Sequence, residues 1–531
     1  MLNSDLISFT SNTTDLKLTQ TKVIKRKMEE LKEEAAALLS INKKDIGTTL
    51  SLIDEIQRLG LEYHFKEEIN ESLRHVLAEV EEIDDTHSVA LSFRLLRQQG
   101  YYVSSNVFKK LKDKGGKFKE ELSRDAKGLL FLYEASWLGT REDEILDEAM
   151  DFAKVHMERL LVHDKDGVLA AQIERALEMP YHRCMRRLEA RHYFTMHKDE
   201  KERRHVFFEL AKLDFNLLQS MHQTEIKAIS TWWRELGLIK KLSFARDRVV
   251  ECYFWILGVH FEPQFSEGRI LLTKIIALTS VMDDIFDAYG TLEELHQFND
   301  AIQRWDVQDV SKMPEYMIIY LHSFMSLIRE IEEELCRKGM LHHKYYLAES
   351  IKALVGAYFK EAKWANKGYM PTLEEYLNIS VMSSGYPMLI CVALIVMEQE
   401  VTAAVLDLVL SVPKAVEASA LISRLRDDLV STKMEQERKH VASSVQCYMN
   451  DHGVTEQVAR LKLSTMVANA WKDLNQGCLQ YSCPSQRNLN MLALNFVRMA
   501  EVIYKHEDGY TNPSGEMKQN IGLLLLHSVH G

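Results

Sequence analysis

Proline and glycine are scarce, at 8 and 22 in 531 residues. That is too little punctuation for a chain of short strands and turns, and strand-like alternation is equally hard to find. The seven cysteines are scattered, and the closest pair, Cys478 and Cys483, lacks zinc-ligand spacing and a second pair nearby. This excludes a disulfide framework and a zinc module and fits a reducing compartment. No block of basic residues stands out: 66 Lys and Arg are mixed among 78 Asp and Glu for a net charge of -12, which argues against a nucleic-acid partner. The most basic stretch, Lys109 to Lys119, carries two glycines and an Asp and reads as a solvated loop. Apolar runs are short as well. The longest, Met388 to Met397, is about ten residues against the roughly 20 needed to cross a bilayer, so no span is expected. The first residues, MLNSDLISFTSNTTD, carry acids and no Arg, so neither a secretory nor a plastid leader is expected and the cytoplasm is the expected compartment. A self-similarity at solenoid period is missing too.

Apolar residues at helical spacing run along almost the whole chain, as in Leu52, Ile56 and Leu59 before Gly60. Breaks are expected at Asp84-Asp85-Thr86, Asp113 to Gly116, Asp164 to Gly167, Phe261 to Gln264, Ser383 to Pro387 and Asp508 to Pro513. The fold class is therefore all-α, and the length implies two domains. Every motif with chemical content lies after residue 240. This asymmetry suggests a structural domain over residues 1–212 and a catalytic one over 213–531, divided within the helical pattern around Leu210 to Gln223.

The first motif, Asp283-Asp284-Ile285-Phe286-Asp287, follows an apolar helical pattern and precedes Gly290. On an α-helix Asp283 and Asp287 would share a face about 6 Å apart, where two carboxylates repel unless a cation lies between them. Hard oxygen ligands suit Mg²⁺. Alone the motif discriminates little, because 78 acids in 531 residues give roughly one or two such triples by chance. The second is Asp427-Asp428-Leu429-Val430-Ser431-Thr432-Lys433-Met434-Glu435. Asp427, Ser431 and Glu435 fall at i, i+4 and i+8, one stripe of three oxygen donors. A surface stripe of acids would only repel itself, with Arg438 and Lys439 as a partial offset. Arg246-Asp247-Arg248 places two guanidinium groups upstream, and Arg424 stands one turn before Asp427. Such a triplet by itself is more often a surface ion-pair cluster, yet planar cations also suit phosphate oxygens.

Together these parts describe a diphosphate site. Carboxylate-rich helices hold Mg²⁺, arginines cage the leaving group, and the allylic cation that remains needs a dry cavity with aromatic faces. Trp255, Tyr253, Phe254, Tyr504 and Tyr510 are aromatics near the motifs or the C-terminus, though each taken singly fits ordinary core packing.

With these residues in view, the sequence resembles plant sesquiterpene synthases, the angiosperm group that includes aristolochene, cadinene and germacrene synthases. The resemblance runs from about Val23 to the C-terminus through FRLLRQQGY (Phe93 to Tyr101), LLFLYEAS (Leu129 to Ser136), KLDFNLLQ (Lys212 to Gln219), RDRVVECYFW (Arg246 to Trp255), DDIFDAYGT (Asp283 to Thr291) and AIQRWD (Ala301 to Asp306). It implies a C-terminal class I terpenoid synthase bundle and a vestigial, non-catalytic, α-barrel-like N-terminal domain. By this likeness Asp283 and Asp287 bind two Mg²⁺ ions with Asp284 in support, and Asp427, Ser431 and Glu435 hold a third, with Mn²⁺ able to substitute. Arg246 and Arg424 grip the departing diphosphate, and Arg248 orders the loop that closes over it. Trp255 is the cavity aromatic, Ser383-Ser384-Gly385 the helix break facing the cation, and Tyr504, Asp508 and Tyr510 the C-terminal lid. The expected enzyme is a monomeric lyase that ionises farnesyl diphosphate and cyclises the cation. The competing readings are a diterpene synthase using geranylgeranyl diphosphate, a prenyl diphosphate synthase, which would carry a pair of DDxxD motifs, and a non-catalytic helical scaffold. Glu82-Ile83-Asp84-Asp85 superficially resembles the acidic motif of protonation-initiated cyclases, but begins with Glu and reads as a solvated turn.

Overall fold

The computed structural model describes residues 14–163, 166–197, 205–306, 310, 312–398, 401–437, 442–513 and 515–529, with the side chains of 14–21, 163 and 433–437 outside that description. Part of the expected break at 164–167, and both Arg438 and Lys439, lie outside the described residues. Every regular element among them is helical, and the lone β-type pairing is an isolated bridge between Lys112 and Phe118. The chain divides into two compact units, one built on residues up to Met221 with 478–480 and 522–529, the other on His222–Gly477 and Tyr481–Ile521. The division falls inside the helix His205–Leu236.

In the N-terminal unit the expected break at Asp84-Asp85-Thr86 is a helix cap, and two aspartates outside the expected breaks cap helices in the same way. Asp45, Asp85 and Asp125 each accept a hydrogen bond from the backbone N–H three residues on, starting the helices Ile46–Arg58, Thr86–Gln98 and Ala126–Ser136. Asp85 thus explains the acidic turn at 82–85, where Asp84 stands exposed. The basic stretch expected as a loop is partly ordered, with a 3₁₀ segment over Ser105–Leu111 before the Lys112–Phe118 turn. Ala126–Ser136 packs between Thr86–Gln98 and Glu144–His163 around a core that includes Phe93, Leu96, Leu129 and Leu132. Charges are buried with it. The Arg97 guanidinium donates to the carbonyls of Val103 and Leu138 and to Asp143, and Arg58 pairs with Asp54, Glu134 and Glu189.

The C-terminal unit is built around two helices that are buried on every side, Val249–Val259 and Tyr386–Met397. A helix apolar nearly all round and of ordinary length belongs in a core, and the one acidic side chain of the two, Glu251, is buried with its helix. Val249–Val259 lies against Ser266–Asp284 and Pro484–Ile503, and Gly258 permits the second approach: a Cβ there would sit 1.9 Å from Met499 Sδ. Lys414–Glu437 packs on Pro484–Ile503 and on Leu373–Ser383. The stretch Leu373–Met397 is long and apolar enough to cross a bilayer, which the sequence reading did not anticipate, but its apolar window is 78% buried inside the protein. It is also two helices, interrupted at Gly385, whose φ of 77° suits only glycine well.

Candidate active site

The helix Ser266–Asp284 presents Asp283 and Asp284 in its last turn. Sequence spacing alone predicts an α-helical return to Asp287. The structure corrects this: Ile285–Tyr289 is a π-helical turn, closed by Gly290 N donating to the Ile285 carbonyl, five residues back, at 2.8 Å. Such turns concentrate at functional sites because they re-aim side chains. All three aspartates still line one cavity. Asp287 is exposed at the cavity, where desolvation and the charges of Asp283 and Glu361 push its carboxyl well above the ordinary carboxylate range. Asp284 is raised as well, by burial and by Asp283, against the opposing charge of Arg246.

The facing helix, Lys414–Glu437, brings Asp427, Asp428 and Ser431 to the same cavity. Ser431 Oγ is buried without a hydrogen-bond partner among the described residues. An orphaned hydroxyl between acidic positions is costly unless something else binds it. Glu435 continues this helix, and its side chain lies outside the described residues. Arg424 Nη1 is 3.7 Å from Asp427 Oδ2. Burial alone would lower the Arg424 pKa, but Tyr376, Asp428, Glu361 and Asp427 together outweigh it and hold the cation firmly.

The arginine triplet forms the entry to Val249–Val259, with Arg248 as its N-cap. Arg246 reaches the aspartate helix three ways. Its backbone N–H donates to Asp284 Oδ2 at 2.8 Å, its Nη2 to Asp283 Oδ2 at 2.7 Å, and its Nε lies 2.7 Å from Asp284 Oδ1. Asp247 accepts from Trp233 Nε1 at 2.9 Å. Arg248 is not among the cavity-lining residues; it donates to the carbonyls of Tyr510 and Thr511 at 2.9 and 2.7 Å. Asp508 Oδ1 tightens that C-terminal loop by accepting from the N–H groups of Tyr510 and Thr511.

The remaining wall is aromatic and apolar. Trp255 meets Tyr386, Tyr504 and Tyr510 edge-on at centroid distances of 6.3, 6.2 and 5.7 Å, beside Ile276 and Leu389. Ser383, Ser384 and Gly385 complete it. Here Leu373–Ser383 ends and Tyr386–Met397 begins, so the carboxyl end of one helix and the amino end of the next meet at the cavity wall. The whole encloses about 540 Å³.

The structure therefore gathers Arg246, Trp255, Asp283, Asp284, Asp287, Ser383, Ser384, Gly385, Arg424, Asp427, Ser431, Tyr504, Asp508 and Tyr510 around one space. It adds residues that sequence reasoning missed. Glu361, on Lys344–Lys367, accepts from Ser383 Oγ at 2.6 Å, and burial pushes its carboxyl up to about 7. Tyr376 lies beside Asp428, Thr511 Oγ1 accepts from Arg246 Nη1 at 3.1 Å, and Phe244 stacks on Tyr289 at 3.9 Å. None belongs to a pattern with a neighbour in sequence. Only the hydrophobic phase of their helices could have pointed Glu361 and Tyr376 inward, and Phe244 and Thr511 lie in turns, where no such phase exists.

The donor set suits Mg²⁺: carboxylate and hydroxyl oxygens from two helices, one hydroxyl orphaned, and two carboxylates, Asp284 and Asp287, raised by desolvation and by neighbouring negative charge. Among the described residues no three His, Cys, Asp or Glu side chains gather into an all-protein cage. This matches the usual Mg²⁺ arrangement of one or two carboxylates with water and phosphate oxygens.

The chain is similar to known proteins over most of its length. Residues 234–473 match the model of the terpene synthase family, metal binding domain, and residues 3–177 that of the terpene synthase N-terminal domain. The chain is 45% identical to (-)-germacrene D synthase of Vitis vinifera, covering 95% of this chain and 91% of that protein. It is 44% identical to beta-cubebene synthase of Magnolia grandiflora, covering 94% and 91%. Among solved structures, isoprene synthase from grey poplar leaves (Populus x canescens), in complex with three Mg²⁺ ions and dimethylallyl-S-thiolodiphosphate, superposes with a TM-score of 0.90 at 34% identity, covering 96% of this chain and 98% of that one.

Proposed function

The chain belongs to the terpene synthase family, lyases that act on prenyl diphosphates, and from that premise we propose that it ionises farnesyl diphosphate and cyclises the cation to a sesquiterpene. The observation that carries this reading is one cavity lined by two chemically opposite sets of side chains. One set is Asp283, Asp287, Asp427 and Ser431 with Arg246 and Arg424, and the other is Trp255 with its three tyrosines.

Asp283 and Asp287 on one side, and Asp427, Ser431 and Glu435 on the other, would hold three Mg²⁺ ions, with Asp284 in support and Mn²⁺ able to substitute. Bound Mg²⁺ supplies the Lewis-acid charge that makes diphosphate a competent leaving group. Arg246 and Arg424 bind the diphosphate oxygens, for which their planar donors are suited. To do so, Arg246 exchanges its contact with Asp283 for the substrate. Arg248 holds the Tyr510–Thr511 loop in place above it. The Trp255 ring stabilises positive charge on the hydrocarbon without offering a strong nucleophile, and the helix break at Ser383–Gly385 faces the cation. Tyr504, Asp508 and Tyr510 form the lid. Seven free cysteines fit a reducing compartment, which supports a cytoplasmic enzyme, here taken as a monomer.

The test is turnover of C10, C15 and C20 diphosphates with Mg²⁺ by the purified protein, read by gas chromatography and diphosphate release. The expected product is a sesquiterpene hydrocarbon or alcohol from the C15 substrate. Preference for the C20 substrate would replace farnesyl by geranylgeranyl diphosphate. Longer prenyl diphosphates as the sole products after adding isopentenyl diphosphate would overturn the cyclase reading.

A further inference from the structure

Two adjacent aspartates open the second acidic motif, and the structure gives them different partners. Asp427 sits in the stripe with Ser431. Asp428 is 2% exposed and spends its carboxylate on the protein: Tyr376 Oη lies 3.2 and 3.0 Å from its two oxygens, and Ser444 N donates to Oδ2 at 2.9 Å. Three segments meet at this carboxylate. Tyr376 belongs to Leu373–Ser383, which ends at the break facing the cavity. Asp428 belongs to Lys414–Glu437, just before Ser431. Ser444 opens Ser444–His452. The junction is braced on both flanks. Thr432 Oγ1 donates to the Asp428 carbonyl and lies 3.4 Å from Ser443 Oγ, and Leu373 N donates to Asp451 Oδ2 at 2.6 Å.

Hydrogen bonds to a buried carboxylate are charge-assisted, and breaking one leaves a charge short of donors. These segments therefore hold a common register. We propose that Asp428 is a positioning residue: through Tyr376 and the Ser444 amide it fixes the rotation of the Lys414–Glu437 helix against the Leu373–Ser383 helix, and so sets where Asp427 and Ser431 point relative to the helix break. The role differs from that of its neighbour Asp427, although sequence presents the two as equivalent. It rests on the cyclase reading above, since the quantities it sets are metal affinity and the course of the cation.

Tyr376→Phe keeps the ring and removes the donor; Asp428→Asn keeps the volume and removes the charge. Each raises the half-saturating Mg²⁺ concentration, roughly tenfold for Asp428→Asn, and shifts the ratio of terpene products. The double variant is no worse than Asp428→Asn, because both substitutions break one set of bonds. In the metal-free protein, Asp428→Asn speeds hydrogen exchange at the Ser444 amide by roughly tenfold or more, with melting unchanged within a few degrees. An active Tyr376→Phe enzyme with wild-type Mg²⁺ dependence and product ratio overturns the proposal, as does a double variant whose losses multiply. Failure of the wild type to make any terpene defeats the cyclase reading instead, and Ser444 exchange still decides whether the junction holds.

Discussion

In the N-terminal unit Arg97 ends on two carbonyls and on Asp143, all inside the core. In the C-terminal unit Asp287 lines a cavity with Asp283 and Glu361, carboxylates that repel it. Both places hold charge away from bulk water, but the Arg97 cluster matches its cation to oxygens already in the fold, whereas the cavity gathers like charges beside a buried hydroxyl, Ser431 Oγ, that has no hydrogen-bond partner among the described residues. The first arrangement serves the structure it sits in. The second stores unfavourable electrostatics that a cationic ligand relieves, and strained polar groups of that kind mark functional sites.

The contrast breaks most sharply under alanine substitution. Asp283→Ala and Asp287→Ala should each lower turnover per folded molecule by at least about a hundredfold. Metal-free Asp287→Asn should melt no lower than wild type, because it removes a repelled charge. A large drop in melting temperature would assign Asp287 a structural role. Arg97→Ala should do the reverse, costing about 3–5 kcal/mol in chemical denaturation by stranding buried Asp143, while the folded fraction keeps wild-type turnover per molecule.

Acid and base sharpen the same comparison, with opposite signs. Burial favours the neutral form of Asp143, but hydrogen bonds from Arg97 and Ser105 and the Arg97 charge outweigh it and hold the carboxyl at about 2. Unfolded aspartate titrates near about 3.9, so the unfolded chain binds more protons between those values. The contribution of Asp143 is therefore complete above pH ~4 and lost as pH falls toward 2. Glu361 runs the other way. Burial raises it to about 7, with Asp283 and Asp428 adding and Arg424 and the Ser383 hydroxyl opposing. The unfolded chain then loses that proton first, so the stability of the metal-free protein falls as pH climbs from about 4.5 to 7. Melting of metal-free Glu361→Gln across that range should show a shallower decline than wild type; an equal slope would place the effect elsewhere.

Much of the site was legible because its ligands come in local patterns. Asp427 and Ser431 lie one turn apart on a single helix, so periodicity alone finds them. The break at Ser383–Gly385 shows as Gly and Pro inside an apolar stretch. The π turn was not legible, since nothing in Ile285-Phe286-Asp287-Ala288-Tyr289 distinguishes it from α-helix. Trp255 was legible only through resemblance, because an aromatic facing a cavity and one facing a core look alike in sequence.

The sequence by itself determined that the chain is helical, where several of its helices are interrupted, and which short motifs carry the oxygen donors. These are matters of local propensity and spacing. Tertiary structure alone decided that Glu361, Tyr376 and Thr511 join the site, and that of two neighbouring aspartates Asp428 is given over to Tyr376 and Ser444 while Asp427 stands in the stripe with Ser431. Those outcomes depend on how helices distant in sequence rotate against one another, and that rotation is fixed by packing across the whole unit, which no local window contains.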